Sequence, residues 1–396
     1  MTTASTSRET AGTPREGVTP FEVHVTDEDL SDLRERLSRT RWPDQIPGSG
    51  WGYGTDRDYL RDLCGYWETT FDWRSVESRL NQWPQFVTTI DGQQVHAIHA
   101  RSKEPSATPL LLLHGWPGSV MEFLSLIGPL TDPVANGGRA EDAFHVICPS
   151  LPGFAWSGPT TEPGWDAARI TTAMLTLMDR FGYERFGVQG GDWGAVVATR
   201  IAAAAPERVI GLQLNFVVTA GPIPEDGDPT AEEQQLLAEM GAHLATGSGY
   251  VAIQSTRPQS LAYGLTDSPA GLAGWIVEKL HAWTDCGGDV ETAISRDEIL
   301  ANLSAYWFTG TIGSSTRIYC ESERSGNGGP LPEAVTVPTG CAMFPRELFR
   351  PSRRWADRHY SDIRRWTVMQ RGGHFAALEQ PDALLTEIRA FFAALA

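Results

Sequence analysis

Residues Gly190-Gly191-Asp192-Trp193-Gly194 place an aspartate at the centre of a short run with a glycine two positions away on either side. The apolar run Phe186-Gly187-Val188 precedes it, and an Ala/Val-rich stretch over 195–205 follows. Glycines so placed let a strand turn sharply into a helix and push the central side chain out above a sheet. A carboxylate presented in this way is a candidate nucleophile. It forms an ester with the substrate carbon, and water must then hydrolyse that ester. Serine-type hydrolases attack carbonyls, whereas an aspartate suits displacement at a saturated carbon, so epoxides and alkyl halides are the candidate substrates. The competing reading makes Asp192 only the cap of the following helix, but a cap needs no flanking glycines.

Two further segments can complete such a site. Leu113-His114-Gly115-Trp116-Pro117-Gly118-Ser119 follows a buried apolar run and reads as the loop that gives a backbone N–H to an oxyanion hole. The donors expected are the Trp116 and Trp193 amides; a plain tight turn is the alternative. Arg371-Gly372-Gly373-His374-Phe375 lies late in the chain, where the order nucleophile, acid, histidine places the base. His374 is one of nine histidines, and a lone histidine is more often structural than catalytic. The acid expected is Glu347, just beyond a strand-like run ending near Met343, with Asp357 as its competitor inside a helical stretch.

The elements that must position these residues are legible in outline. Residues 26–39 read as an amphipathic helix capped by Thr26, with Leu30, Leu33 and Leu37 on one stripe. A Gly-rich loop follows, then a second helical stretch over 59–67. Alternation on either side of Asp91-Gly92 predicts a β-hairpin over 86–99. Short continuous apolar runs at 110–113, 146–148, 186–188 and 209–216 suit strands covered on both faces, hence a parallel sheet with crossover helices. From 217 to 331 the text turns helical, and strand-like runs return at 335–343 and 366–369 before a final helix over 383–396. The expected division is a disordered tail (1–17), an N-terminal extension packing on core and cap (18–85), an α/β core (86–216 and 332–396) and a helical cap (217–331).

Composition bounds the function classes. The 396 residues, 41% hydrophobic with 14 Trp and 15 Phe, can bury a large core. A net charge of −17 disfavours nucleic acid and anionic membrane surfaces as partners. Five scattered cysteines without CxxC spacing indicate neither a disulfide framework nor a zinc site, which suits the cytoplasm. No signal peptide or membrane-spanning run is read in the sequence. Only Lys103 and Lys279 are lysines, an arginine bias that suits a GC-rich genome.

From about Phe21 to the end, the sequence resembles the microsomal-type epoxide hydrolase family of the α/β-hydrolase fold, in its soluble microbial form. The motifs that carry the resemblance are the Trp116 loop, the Asp192 turn and the run from Arg371 to Pro381, with Leu33 to Pro43, Phe71-Asp72-Trp73-Arg74 and Asn81 to Phe86 matching the family's N-terminal extension. Gly249-Tyr250-Val251 and Thr309-Gly310-Thr311-Ile312 with Arg317-Ile318-Tyr319 resemble cap segments. The resemblance implies that Tyr250 and Tyr319 are the two tyrosines that polarise the epoxide oxygen; Tyr306 and Tyr263 are the competitors. It also implies catalysis without metal or organic cofactor, a small hydrophobic epoxide and water as reactants, roles in detoxification or secondary metabolism, and the homodimers common in that family. The membrane-bound relatives carry an N-terminal anchor that is not seen here. Two rivals stay open: an Asp-nucleophile dehalogenase, and a catalytically silent member that binds a hydrophobic ligand.

Overall fold

The structure, a computed structural model, describes residues 17–395, so the expected tail at 1–17 lies outside the described residues except for Gly17. Its nine strands form one sheet in the order β1-β2-β3-β5-β4-β6-β7-β8-β9. These are β1 (Val18–Phe21), β2 (Gln85–Ile90), β3 (Gln93–Ala100), β4 (Thr108–Leu113), β5 (Phe144–Pro149), β6 (Phe186–Gly190), β7 (Val209–Leu214), β8 (Thr339–Met343) and β9 (Ile363–Val368). The first three pair antiparallel, and β3 pairs antiparallel with β5. From β5 to β9 every pairing is parallel. The hairpin turns at Asp91 (φ 49°) and Gly92 (φ 75°), two left-handed residues whose twist matches that of the flanking strands. Strand β1 was not foreseen: four residues with a proline among them carry no alternation, and pairing with β2 alone makes them a strand.

Helices cover both faces of the parallel part. Leu110 to Leu113 in β4 are wholly buried, as a strand covered on two sides requires. Ahead of the sheet come α1 (Asp27–Ser38), α2 (Arg57–Thr69) and α3 (Trp73–Asn81). Between strands lie α4 (Leu124–Thr131), α5 (Ala167–Arg180) and α6 (Asp192–Ala204). The stretch 217–331 contributes α7 (Ala231–Thr246), α8 (Gly249–Thr256), α9 (Pro258–Asp267), α10 (Pro269–Trp283), α11 (Arg296–Thr309), α12 (Ile312–Ser315) and α13 (Arg317–Ser325). After β8 come α14 (Arg353–Ala356), α15 (Ala376–Glu379) and α16 (Pro381–Ala393).

Glycines on adjacent strands let α16 lie close to the sheet. A Cβ on Gly187, Gly211 or Gly340 would run into the rings of Phe391 or Phe392, or into Leu395. A Cβ on Gly190 would strike the backbone of α6 instead. Three residues apart on one strand, Gly187 and Gly190 face opposite sides, so α16 and α6 sandwich the sheet.

Helix α1 is built as its sequence indicates. Thr26 caps it in a capping box with Asp29, and Leu30, Leu33 and Leu37 are buried. The N-terminal helices are tied to the helices of 217–331. Trp67 Nε1 donates to Ser304 Oγ at 3.0 Å in a buried contact. Arg79 grips Glu298 with both nitrogens of its fork, one of them at 3.0 Å, and Arg36 reaches the Asp267 carbonyl at 2.9 Å. Among the described residues no helix is long and apolar enough to cross a membrane.

Buried neutral histidines bear on stability. His96 lies between Ser150 Oγ and Gln85 Oε1, each 3.0 Å away, and His99 Nε2 is 2.8 Å from the Tyr183 hydroxyl. Burial pushes His96 and His99 down to about 3, and His114 down to about 4. These folded-state values lie below the unfolded value, so the unfolded chain takes up protons first as pH falls. Their stabilisation is complete above about pH 6.5 and is lost towards pH 4 to 3, at up to about 1.4 kcal/mol per pH unit for each group. Denaturant titrations of the wild type and His96→Gln at pH 7.5, 6 and 5 are expected to show the wild type losing its relative stability as pH falls, a comparison in which the opposite contribution of the raised Glu122 and Glu379 carboxyls cancels. A difference between the two proteins that stays constant from pH 7.5 to 5 would contradict the assignment of His96 as buried and neutral.

Candidate active site

Strand β6 ends at Gly190, and α6 begins at Asp192, whose φ of 48° lies in the left-handed region. A non-glycine residue held there costs about 1–3 kcal/mol and persists only where its surroundings over-determine it. Close backbone contacts supply that constraint. A Cβ on Gly194 would overlap the Leu113 carbonyl, and one on Gly115 would overlap the Asp192 carboxylate. The carboxylate does not fold back as a cap; the N-cap position is Gly191. Instead Asp192 Oδ1 accepts the Trp116 N–H at 2.7 Å, across the gap between neighbouring strands β4 and β6. The Trp193 amide lies in the first turn of α6, where backbone N–H groups have no intrahelical acceptor.

The other carboxylate oxygen, Asp192 Oδ2, lies 3.3 Å from His374 Nε2. On the far side of the ring, His374 Nδ1 is 2.6 Å from Glu347 Oε1. That oxygen also accepts the Leu348 amide at 2.6 Å, which fixes the carboxylate. Asp357, the competing acid, instead pairs with Arg353 in a half-exposed contact. Burial disfavours a charge on His374, but the Glu347 carboxylate and the hydrogen bonds to Asp192 and Glu347 outweigh it and hold the imidazole well above its usual pKa. The loop around the histidine hangs from one side chain: the buried carboxylate of Glu379 accepts the amides of Gly373 (2.9 Å), Phe375 (3.0 Å) and Asp285 (2.8 Å). The His374 amide donates to the Trp283 carbonyl at the end of α10, tying the histidine loop to that helix.

Tyr250 on α8 and Tyr319 on α13 meet with ring centres 5.9 Å apart. The Trp116 indole stacks on Tyr250 at 5.4 Å and stands edge-on to Tyr319 at 5.9 Å. The ring of Trp193 meets Tyr319 at 4.9 Å. Burial raises both phenols well above 10, so at neutral pH both keep the proton a donor needs. The competitors lie elsewhere. The Tyr306 hydroxyl is used by the Gly118 carbonyl at 2.7 Å, and Tyr263 is 71% exposed.

Several residues of the site were not anticipated. From α11, Asn302 donates to the Pro117 carbonyl at 2.8 Å and accepts the Ser119 hydroxyl at 2.8 Å. With Tyr306 it clamps the loop that carries the Trp116 amide. The Lys279 ammonium is buried 4.7 Å above the Tyr250 ring, and its rarity among 32 basic residues was the only sequence signal. Glu122 lines the cleft beside Asp192 and His374. An apolar cavity of about 220 Å³, lined by Phe216, Leu236, Leu237, Met240 and Phe349 among others, adjoins the base through Phe216, whose ring meets His374 edge-on at 6.0 Å. A larger hollow of about 900 Å³ opens between α1 and the start of α10 and contains none of these residues. Among the described residues no three His, Cys, Asp or Glu side chains are grouped to hold a metal ion.

The family model for the epoxide hydrolase N terminus matches residues 18–123, and that for the alpha/beta hydrolase fold matches 108–236. The chain is 49% identical over 95% of its length to a Stigmatella aurantiaca (strain DW4/3-1) protein provisionally named an epoxide hydrolase, covering 85% of that protein. It is 37% identical to Epoxide hydrolase 1 of Sus scrofa, over 96% of this chain and 89% of that one. The crystal structure of juvenile hormone epoxide hydrolase from the silkworm Bombyx mori superposes with a TM-score of 0.87 at 31% identity, over 96% of this chain and 95% of that one. With the Asp192 turn, the His374 loop and the N-terminal segment all in place, the chain belongs to the epoxide hydrolase family of the α/β-hydrolase superfamily.

Proposed function

We propose that the chain converts a small hydrophobic epoxide to a vicinal diol in two steps, through an ester on Asp192. The observation that carries this reading is the division of labour on one carboxylate. Oδ1 faces the Trp116 amide, and Oδ2 is free to attack beside His374. In the first step Oδ2 bonds to an epoxide carbon, the C–O bond of the ring breaks, and Tyr250 or Tyr319 gives its proton to the departing oxygen. Solvent restores the phenol. In the second step His374, oriented by Glu347, takes a proton from water. The resulting hydroxide adds to Cγ of Asp192, with Oδ1 as the oxyanion between the Trp116 and Trp193 amides. Collapse of this intermediate breaks the bond from Cγ to the diol oxygen, which takes the proton held on His374, and the acid left on Asp192 loses its proton to solvent, regenerating the carboxylate.

Asp192 and His374 are coupled in charge. While Asp192 is anionic it helps hold the proton on His374. Ester formation removes that charge, the imidazole becomes more acidic, and it then serves as the base. The paired phenols favour an epoxide over a halide, whose departure needs N–H donors around it. The apolar cavity beside Phe216 suits a hydrophobic substituent. Five free, buried cysteines suit a reducing, cytoplasmic setting. The cap, 217–331, is read as the lid that carries both phenols, and the extension, 18–85, as its anchor.

Tyr250→Phe and Tyr319→Phe should each lower diol formation from styrene oxide by about 10- to 100-fold, and the double variant by about 10³-fold or more. Asp192→Ala should abolish it, with chloride release from a chloroalkane undetectable in the wild type. Full activity of the double Phe variant, or of Asp192→Ala, would refute the assignment. Lowering the pH should slow breakdown of the ester by protonating His374, so a substrate-sized mass adduct should build up on the protein. Ester breakdown unaffected by acid would rule out His374 as the base.

A further inference from the structure

Glu122 is a buried carboxyl group that the two steps above leave unused. It lies in the single turn Val120–Phe123, directly after the loop that carries the Trp116 amide. Its side chain turns back across that loop, because a Cβ on Gly118 would overlap a Glu122 carboxyl oxygen. Glycine at 118 therefore leaves room for the carboxyl. Glu122 is half-buried and lines a small void that Asp192 and His374 also line.

That void has a volume of about 20 Å³, and Asp192, His374, Glu122 and Asn215 supply its polar walls. A void of about 10–15 Å³ holds one water molecule when two to four polar groups face it. Asn215 is held against the Asp192 turn. Its Oδ1 accepts Gln189 Nε2 at 2.7 Å, and its side-chain amide packs so closely on Gly191, the residue before Asp192, that a Cβ there would overlap it. Burial pushes the Glu122 carboxyl up to about 8, and the Asp192 charge adds to this against the pull of His374, so the group senses both catalytic side chains.

We propose that Glu122 is a positioning residue for the second step: with Asn215 it holds the water that His374 deprotonates and that attacks Cγ of the Asp192 ester. This rests on the ester reading above. The water gives one proton to His374 Nε2, keeps its other hydrogen on a Glu122 oxygen, and directs a lone pair at Cγ. The epoxide opens on the tyrosine side, so the first step does not call on Glu122.

The test separates the two steps with styrene oxide, by rapid quench and intact-protein mass, in the wild type, Glu122→Leu, Glu122→Gln and Gly118→Ala, each checked by its thermal midpoint. Glu122→Leu should form ester within about threefold of the wild-type rate but hydrolyse it at least about tenfold more slowly, with ester accumulating in the steady state. Glu122→Gln, which can still hold water, should recover most of that loss. Gly118→Ala displaces the carboxyl from the opposite wall without removing it and should reproduce the Leu phenotype. Parallel slowing of both steps would show a merely structural role and overturn the proposal, as would unchanged ester hydrolysis in both Glu122→Leu and Gly118→Ala. No ester in any protein, wild type included, would overturn the two-step reading and this proposal with it.

Discussion

The Asp192 backbone at positive φ is tolerated because two chain segments meet there with almost no atoms between them. The C-terminal ends of β4 and β6 are neighbours in register, with Leu113 opposite Gly190. The loops that leave them carry the Trp116 amide and Asp192, and the 2.7 Å hydrogen bond from the first to the second fixes which carboxylate oxygen faces the amide. In open α/β sheets, binding sites form beyond the strand carboxyl ends where the strand order reverses. Here the reversal is at β4, which has β5 on one side and β6 on the other. The glycine floor under α16, the anchoring of the His374 loop by Glu379 and the grip of α11 on the Trp116 loop all hold this junction in place.

The segment 217–331 does more than cover the sheet. Tyr250 and Tyr319 come from it, yet its contact with the Trp116 loop runs through buried polar groups, Asn302 and Tyr306, whose misplacement would leave backbone carbonyls unpaired. That makes the seating of this segment specific. The N-terminal helices add the buried Trp67–Ser304 hydrogen bond and the Arg79–Glu298 pair, so the extension fixes the height of α11 above the loop. Lys279 places a cation against the Tyr250 ring, an attraction worth about 2 kcal/mol when desolvated, which fixes the orientation of that ring.

Residues whose roles follow from local backbone requirements were legible in the sequence. The glycines around Asp192, the left-handed pair Asp91-Gly92 and the Thr26 capping box each declare their geometry within a few positions. The inner parallel strands showed as apolar runs because burial on two faces leaves no alternation to misread, whereas the edge strand β9, with two arginines and only partial burial, was legible only in its last residues. Glu347 and Asp357 both followed the returning strand, and only the fold shows that one faces His374 and the other Arg353. Helix α3 lay in a stretch known only by resemblance, and β1 exists through its partner. Glu122, Asn302 and Glu379 are polar residues in ordinary contexts along the chain. Their significance comes from which loop they face, and no spacing encodes that.

The division of labour between the two oxygens of Asp192 is the central claim, and a single turnover in oxygen-18 water tests it most directly. With enzyme in excess over styrene oxide, the first diol should carry no label, because its new oxygen comes from Asp192, while the peptide containing Asp192 should gain oxygen-18. Diol labelled from the first turnover, with that peptide unlabelled, would mean that water attacks the epoxide directly and that Asp192 is not the nucleophile.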